Sequence, residues 1–163
     1  MEKIFEEMTN LFARNNIPIF GITSAKSLEN KPSGYRPSDM LASAQSVLCF
    51  GIPVPKGIFK CQERSEWMYW RAANIYYRNI DMVLMRVASI IEEKGETAVP
   101  VFGCFPYNII GKGDFLGYMS LVKMAEAVGI GKAGKNGLLF NSRYGPRLIL
   151  GGIVTTAPLP TIA

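Results

Sequence analysis

The sequence predicts an α+β fold, a mixed or antiparallel sheet of about four to five strands flanked by helices. Three observations lead there. Val47 to Val54 and Arg147 to Thr156 are apolar runs of strand length. The stretch from Arg64 to Lys94 repeats apolar residues at helical spacing. Turn signals, with 16 Gly and 10 Pro along the chain, break the remainder into short segments. At 163 residues, 48% hydrophobic and 19% charged, the chain suits one globular domain over 1–163.

Element by element, Glu2 to Asn15 reads as an amphipathic helix with Ile4, Phe5, Met8, Leu11 and Phe12 on one face. Ile17 to Ile22 suits a short strand, and residues 23–38 form a loop rich in Ser, Asn, Pro and Gly. Pro37 opens one helical turn through Leu41. In the long helix, Trp70, Ala73, Tyr77, Ile80, Leu84, Val87 and Ile91 recur at alternating spacings of three and four. That stripe predicts a core helix packed on a sheet, with a coiled-coil homodimer as the alternative. The aromatic surplus in its first turns, Trp67, Tyr69, Trp70, Tyr76 and Tyr77, suits a wall for a large flat ligand. Ala98 to Phe102, Gly137 to Phe140 and Arg147 to Thr156 are further strands, and Gly117 to Val128 a helix. A hairpin-length connection joins the last two strands.

Composition excludes several chemistries. There is no histidine, so no Ser-His-Asp triad, Cys-His dyad or His-ligated metal exists. Cys49, Cys61 and Cys104 show no C-x-x-C spacing and hold no cluster by themselves, so no metal ligands are assigned. They read as buried thiols in a reducing, cytoplasmic setting. No apolar run is long enough to span a membrane and no signal peptide is evident, so no membrane partner is expected. Lys112 to Arg147 holds six cations against two acids, +4 of the net +5. Positive charge beside glycines points to an anionic ligand, and the basic residues are too sparse for general nucleic-acid binding.

The most informative stretch runs from Gly129 through Ile130, Gly131, Lys132, Ala133, Gly134, Lys135 and Asn136 to Gly137. It matches a dinucleotide fingerprint and nearly matches a P-loop. In both, a strand must precede and a helix follow, and here the order is reversed. The expectation that survives is physical. Glycines expose backbone N–H groups beside Lys132 and Lys135, making a loop that a ligand can approach closely.

This stretch, the Tyr144-Gly-Pro-Arg turn, Leu150-Gly-Gly and Thr156-Ala-Pro-Leu together resemble the epoxyqueuosine reductase and reductive dehalogenase superfamily. Gly34-Tyr-Arg-Pro-Ser-Asp-Met-Leu41 resembles an upstream loop of the same group. The resemblance implies a nitroreductase-like fold that binds cobalamin in its base-off form. It places Gly129, Gly131, Gly134, Lys135, Asn136, Gly137, Arg143 and Tyr144 at the corrinoid or its nucleotide tail. It also implies an iron–sulfur electron donor, whose [4Fe-4S] clusters come from a further domain or partner, since the chain stops where their cysteines would begin.

One departure concerns chemistry. The family carries a proton-donating acid at the end of its central strand, whereas Val101-Phe102-Gly103-Cys104 holds none. Asp114, Tyr107 and Cys104 are the catalytic candidates left, and the substrate stays open. A flavin-dependent nitroreductase-like enzyme and a non-catalytic corrinoid carrier or interaction subunit are the alternative functions.

Overall fold

The computed structural model describes residues 2–103, 108–110, 114–117 and 119–162, with 108–110 and 114–116 described by their backbone alone. Helix α1 (Glu2–Arg14) buries Ile4, Met8 and Phe12, which recur every fourth residue on one stripe. The chain turns away after it at Asn16, whose φ of 53° is the left-handed conformation asparagine tolerates. Strands β1 (Ile19–Ser24) and β2 (Ser46–Pro53) follow, separated by a 3-10 turn (Ala25–Leu28) and the helical turn α2 (Pro37–Met40). The long helix α3 (Ser65–Glu92) leads into β3 (Ala98–Val101). Two short strands, β4 (Asn108–Ile110) and β5 (Asp114–Leu116), pair with each other before α4 (Leu121–Ala127). The chain then forms β6 (Lys132–Ala133), β7 (Leu139–Phe140) and β8 (Leu148–Thr155).

The main sheet has four antiparallel strands in the order β1-β2-β8-β3. Cys49 on β2 and Val101 on β3 both stand opposite Gly152 of β8. β2 and β8 are almost wholly buried, which explains why their sequences are continuously apolar rather than alternating.

Gly151 and Gly152 show how closely helices cover both faces. A Cβ on Gly151 would stand 2.4 Å from Cγ2 of Ile80 on α3. One on Gly152 would stand 2.4 Å from Cε of Met124 on α4. Successive strand residues point to opposite faces, so α3 lies on one side and α4 on the other.

Three expectations need correction. Trp70 leaves the core stripe at 61% exposure, and Trp67, one of the aromatic residues set aside for a ligand wall, is 62% exposed. Their turns lie beyond the sheet, beside the one-turn helix Lys56–Lys60, where Phe59 meets Tyr69 at 5.5 Å between ring centres. Residues Gly137 to Phe140 contribute no strand to the main sheet. Only Leu139–Phe140 pair, and they pair with β6 instead of β8. The helix expected from Gly117 starts at Leu121, where the Ser120 hydroxyl accepts the backbone N–H of Lys123 at 3.3 Å and caps it.

Candidate functional site

The glycine segment is a hairpin built onto the end of α4. Gly129, with φ +79°, closes that helix. Its N–H donates to Glu126 O at 3.1 Å, and the N–H of Ile130 reaches back to Ala125 O at 2.9 Å. This is the paired C-terminal bonding pattern that favours glycine. Gly131 is required for close approach, because a Cβ there would lie 2.5 Å from the carbonyl oxygen of Phe140.

At the tip, Gly134 N–H donates to Leu138 O at 2.8 Å, and Gly137 N–H donates to Gly134 O at 3.0 Å. The Asn136 side chain accepts the N–H of Leu138 at 3.2 Å. The expected row of bare glycine N–H groups is therefore corrected. Gly129 spends its donor on the end of α4, and Gly134 and Gly137 spend theirs within the hairpin, because so short a ladder needs them. The N–H groups of Gly131, Lys135 and Asn136 have no acceptor among the described residues.

Glu126 fixes the base of the hairpin. One of its oxygens accepts the N–H of Ala133 at 2.7 Å, and the other accepts from the Lys123 ammonium at 2.7 Å. The Lys123 bond first, and the Ala133 bond second, hold its carboxyl below the usual glutamate range. Beside it opens a cavity of about 740 Å³, with Gly129, Gly131, Lys132, Phe140 and Ser142 among its lining residues.

Asn141 joins this hairpin to the next loop. It is 4% exposed, and its side-chain NH₂ donates to Ile130 O at 2.5 Å. Its Oδ1 accepts the backbone N–H groups of Arg143 and Tyr144, both at 2.9 Å. Tyr144 thereby reaches the α3 side of the sheet. It lines a separate cavity of about 370 Å³ with Asn16, Pro53, Tyr76 and Asn79.

The structure thus divides the expected cofactor residues. Gly129 and Gly131 wall one cavity and Tyr144 another, while Lys135, Asn136 and Gly137 stand exposed at the hairpin tip. Asn141 and Glu126, which sequence reasoning passed over, tie these parts together. Their signals were an Asx turn ahead of a glycine and an acid near a helix C-terminus.

Other candidates fall outside this arrangement. Cys104 and Tyr107 lie outside the described residues, and Asp114 is placed in β5 by its backbone alone. Cys49 is buried in β2, and burial pushes its thiol up to about 12. Cys61 is exposed, against the expectation of a buried thiol, because it follows the one-turn helix outside the core. In the upstream loop, Asp39 accepts the N–H groups of Gly34 and Arg36 at 2.7 and 3.0 Å. Arg36 Nε donates to Lys31 O at 2.7 Å, fixing the loop on itself. Among the described residues, no helix is long and apolar enough to cross a membrane.

Over 95% of its length, the chain is 27% identical to the epoxyqueuosine reductase of Lactococcus garvieae. The chain is similar to the epoxyqueuosine reductases. The match covers 49% of that relative, so the chain spans about half the length of the curated protein it resembles. The epoxyqueuosine reductase structure from Streptococcus thermophilus superposes with a TM-score of 0.67 at 17% identity, covering 98% of this chain and 48% of that one. A catabolic reductive dehalogenase, solved with 3-bromo-4-hydroxybenzoic acid, gives 0.68 at 14% identity, covering 95% and 21%. Both structures share this fold. No family model matches the chain.

Proposed function

We propose that this chain is a corrinoid-binding redox unit, one that holds cobalamin with its nucleotide base detached and takes electrons from an iron–sulfur donor. The observation that carries the reading is the tethered pair of loops. A short hairpin keeps the N–H groups of Gly131, Lys135 and Asn136 unpaired, and Asn141 fixes Arg143 and Tyr144 beside it. This donor set fits a broad macrocycle with amide side chains and one phosphate.

In this reading Gly131 and Asn136 donate backbone hydrogen bonds to the amides. Lys135 and Arg143 face the phosphate, and Tyr144 packs its ring against the macrocycle. The chain contains no histidine, so a bound corrinoid would take no imidazole ligand from it. The bound corrinoid supplies low-potential reduction of a substrate at its metal. The protein binds and orients it and excludes water from one face. Similarity to the epoxyqueuosine reductases and to a reductive dehalogenase supports a reductase-like reading, and the substrate is left open.

Titration with cob(II)alamin and, separately, with FMN tests this reading. Saturable absorption changes with the corrinoid and none with FMN are expected. Binding of FMN alone would replace the reading with a flavoprotein, and binding of neither would leave a scaffold.

A further inference from the structure

Helix α3 is apolar on two opposite sides. Ala73, Ile80, Leu84, Val87 and Ile91 pack on the sheet. Ile75, Met82 and Met85 project from the other side, each more than half exposed. Among the described residues, seven of the twelve exposed large apolar side chains belong to this helix. A helix with apolar residues on both sides is normally covered on both.

Charge along the outer side is arranged by sign. Arg71, Arg78 and Arg86 occupy its start and middle, and Glu92 and Glu93 its C-terminal end, all exposed. Glu93 keeps helical dihedrals, so the helical spacing extends to it. Between Glu66 and Glu92 the one acid of α3 is Asp81, half-buried on the flank, where burial raises its carboxyl above the usual aspartate range. Among the described residues, Arg71, Glu92 and Glu93 make no ion pair.

We propose that this outer face pairs with the same face of a second copy, antiparallel about a twofold axis at Met82. The pairing stands independently of the corrinoid reading. Arg71 lies as many residues before Met82 as Glu93 lies after it. An axis there sets each Arg71 beside Glu93 of the second copy, with Glu92 next to it. The two Met82 side chains meet at the centre, where flexible thioethers fill a seam well. Ile75 meets the level of Ser89.

The alternatives use the charges less well. A parallel pair sets each arginine against its own copy, which like-charge repulsion opposes. A purely acidic partner leaves Glu92 and Glu93 facing like charge. In the antiparallel pair Arg78 comes level with Arg86 of the second copy. Their spacing sets them about 80° apart around the helix, so their heads splay into solvent on the rim. The stripe from Arg71 to Ser89 is about 27 Å long. The contact is therefore at the small end of specific interfaces, and dissociation on the order of 10 µM is expected.

Sedimentation equilibrium on both sides of that concentration should show a reversible monomer–dimer equilibrium. Arg71→Glu should weaken it about tenfold, since two equivalent ion pairs are lost, and adding Glu93→Arg should restore it. Both positions are exposed, and an unchanged circular dichroism spectrum checks that each variant folds. The register is read by cross-linking, with Cys61 and Cys104 replaced by serine and Cys49 buried. Mild oxidation should link Met82→Cys into a disulfide dimer. Ile75→Cys should stay unlinked, because its two copies lie about 21 Å apart along the helices.

A chain that is monomeric at every concentration overturns the proposal and leaves the face to a different partner. Failure of Met82→Cys to link, equal linking at Ile75→Cys, or no rescue by Glu93→Arg each overturns the antiparallel pairing.

Discussion

The guanidinium of Arg143 lies over the ring of Tyr144, its carbon 5.3 Å from the ring centre. The stack presents a cation and an aromatic face together, and Asn141 holds both backbones.

Asn141→Ala should release that pair. It removes the acceptor for two backbone donors and the donor to Ile130 O in a buried place. A loss of roughly 2–3 kcal/mol is expected for stranding such groups. The urea midpoint should fall with the slope unchanged. Corrinoid affinity should fall as well, and a variant as stable as wild type would show that the loop holds itself.

Lys135→Met tests the phosphate contact. A point charge on a phosphate in a partly wet site contributes on the order of 1–2 kcal/mol, or about five- to thirtyfold in affinity. Cobalamin should lose that factor while cobinamide, which lacks the nucleotide, keeps its affinity. Equal losses for both would place Lys135 elsewhere.

Much of the architecture was legible because burial writes itself into sequence. The stripe from Ala73 to Ile91 reports the one covered face of α3, and the apolar runs of β2 and β8 report strands covered on both sides. The site was less legible. Gly129 and Gly134 looked like ligand contacts, yet one closes α4 and the other bonds to Leu138. A Cβ at Gly134 would meet the Asn136 side chain at 2.9 Å, so Gly134→Val disturbs the hairpin before any ligand. Trp70 matched the helical period but not the core, because periodicity fixes a face and not where the sheet ends.

Gly151→Ala tests the close seating of α3. The new methyl would collide with Ile80 Cγ2, part of a branched, fully buried side chain. About 1–3 kcal/mol of destabilisation is expected from overpacking. Gly152→Ala meets the flexible end of Met124 and should be milder. Equal urea midpoints for both would mean that the two helices yield alike.

Stability against pH should separate the acids. Asp81 binds its proton more tightly when folded, so stability falls as pH rises from the ordinary aspartate value through its raised one. Asp39, lowered chiefly by the Arg36 N–H bond, and Glu126 act oppositely, and their contribution is lost as acid titrates their folded values. Asp81→Asn should therefore gain at neutral pH relative to acid. Parallel wild-type and variant curves would contradict this.

The most direct test of corrinoid binding is the EPR spectrum of cob(II)alamin mixed with excess protein. Free cob(II)alamin shows nitrogen splitting from its own axial base. Binding in the base-off form should remove that splitting and leave cobalt hyperfine lines alone, with a half-effect at a reproducible protein concentration. A spectrum that keeps its nitrogen splitting at saturating protein would contradict the account.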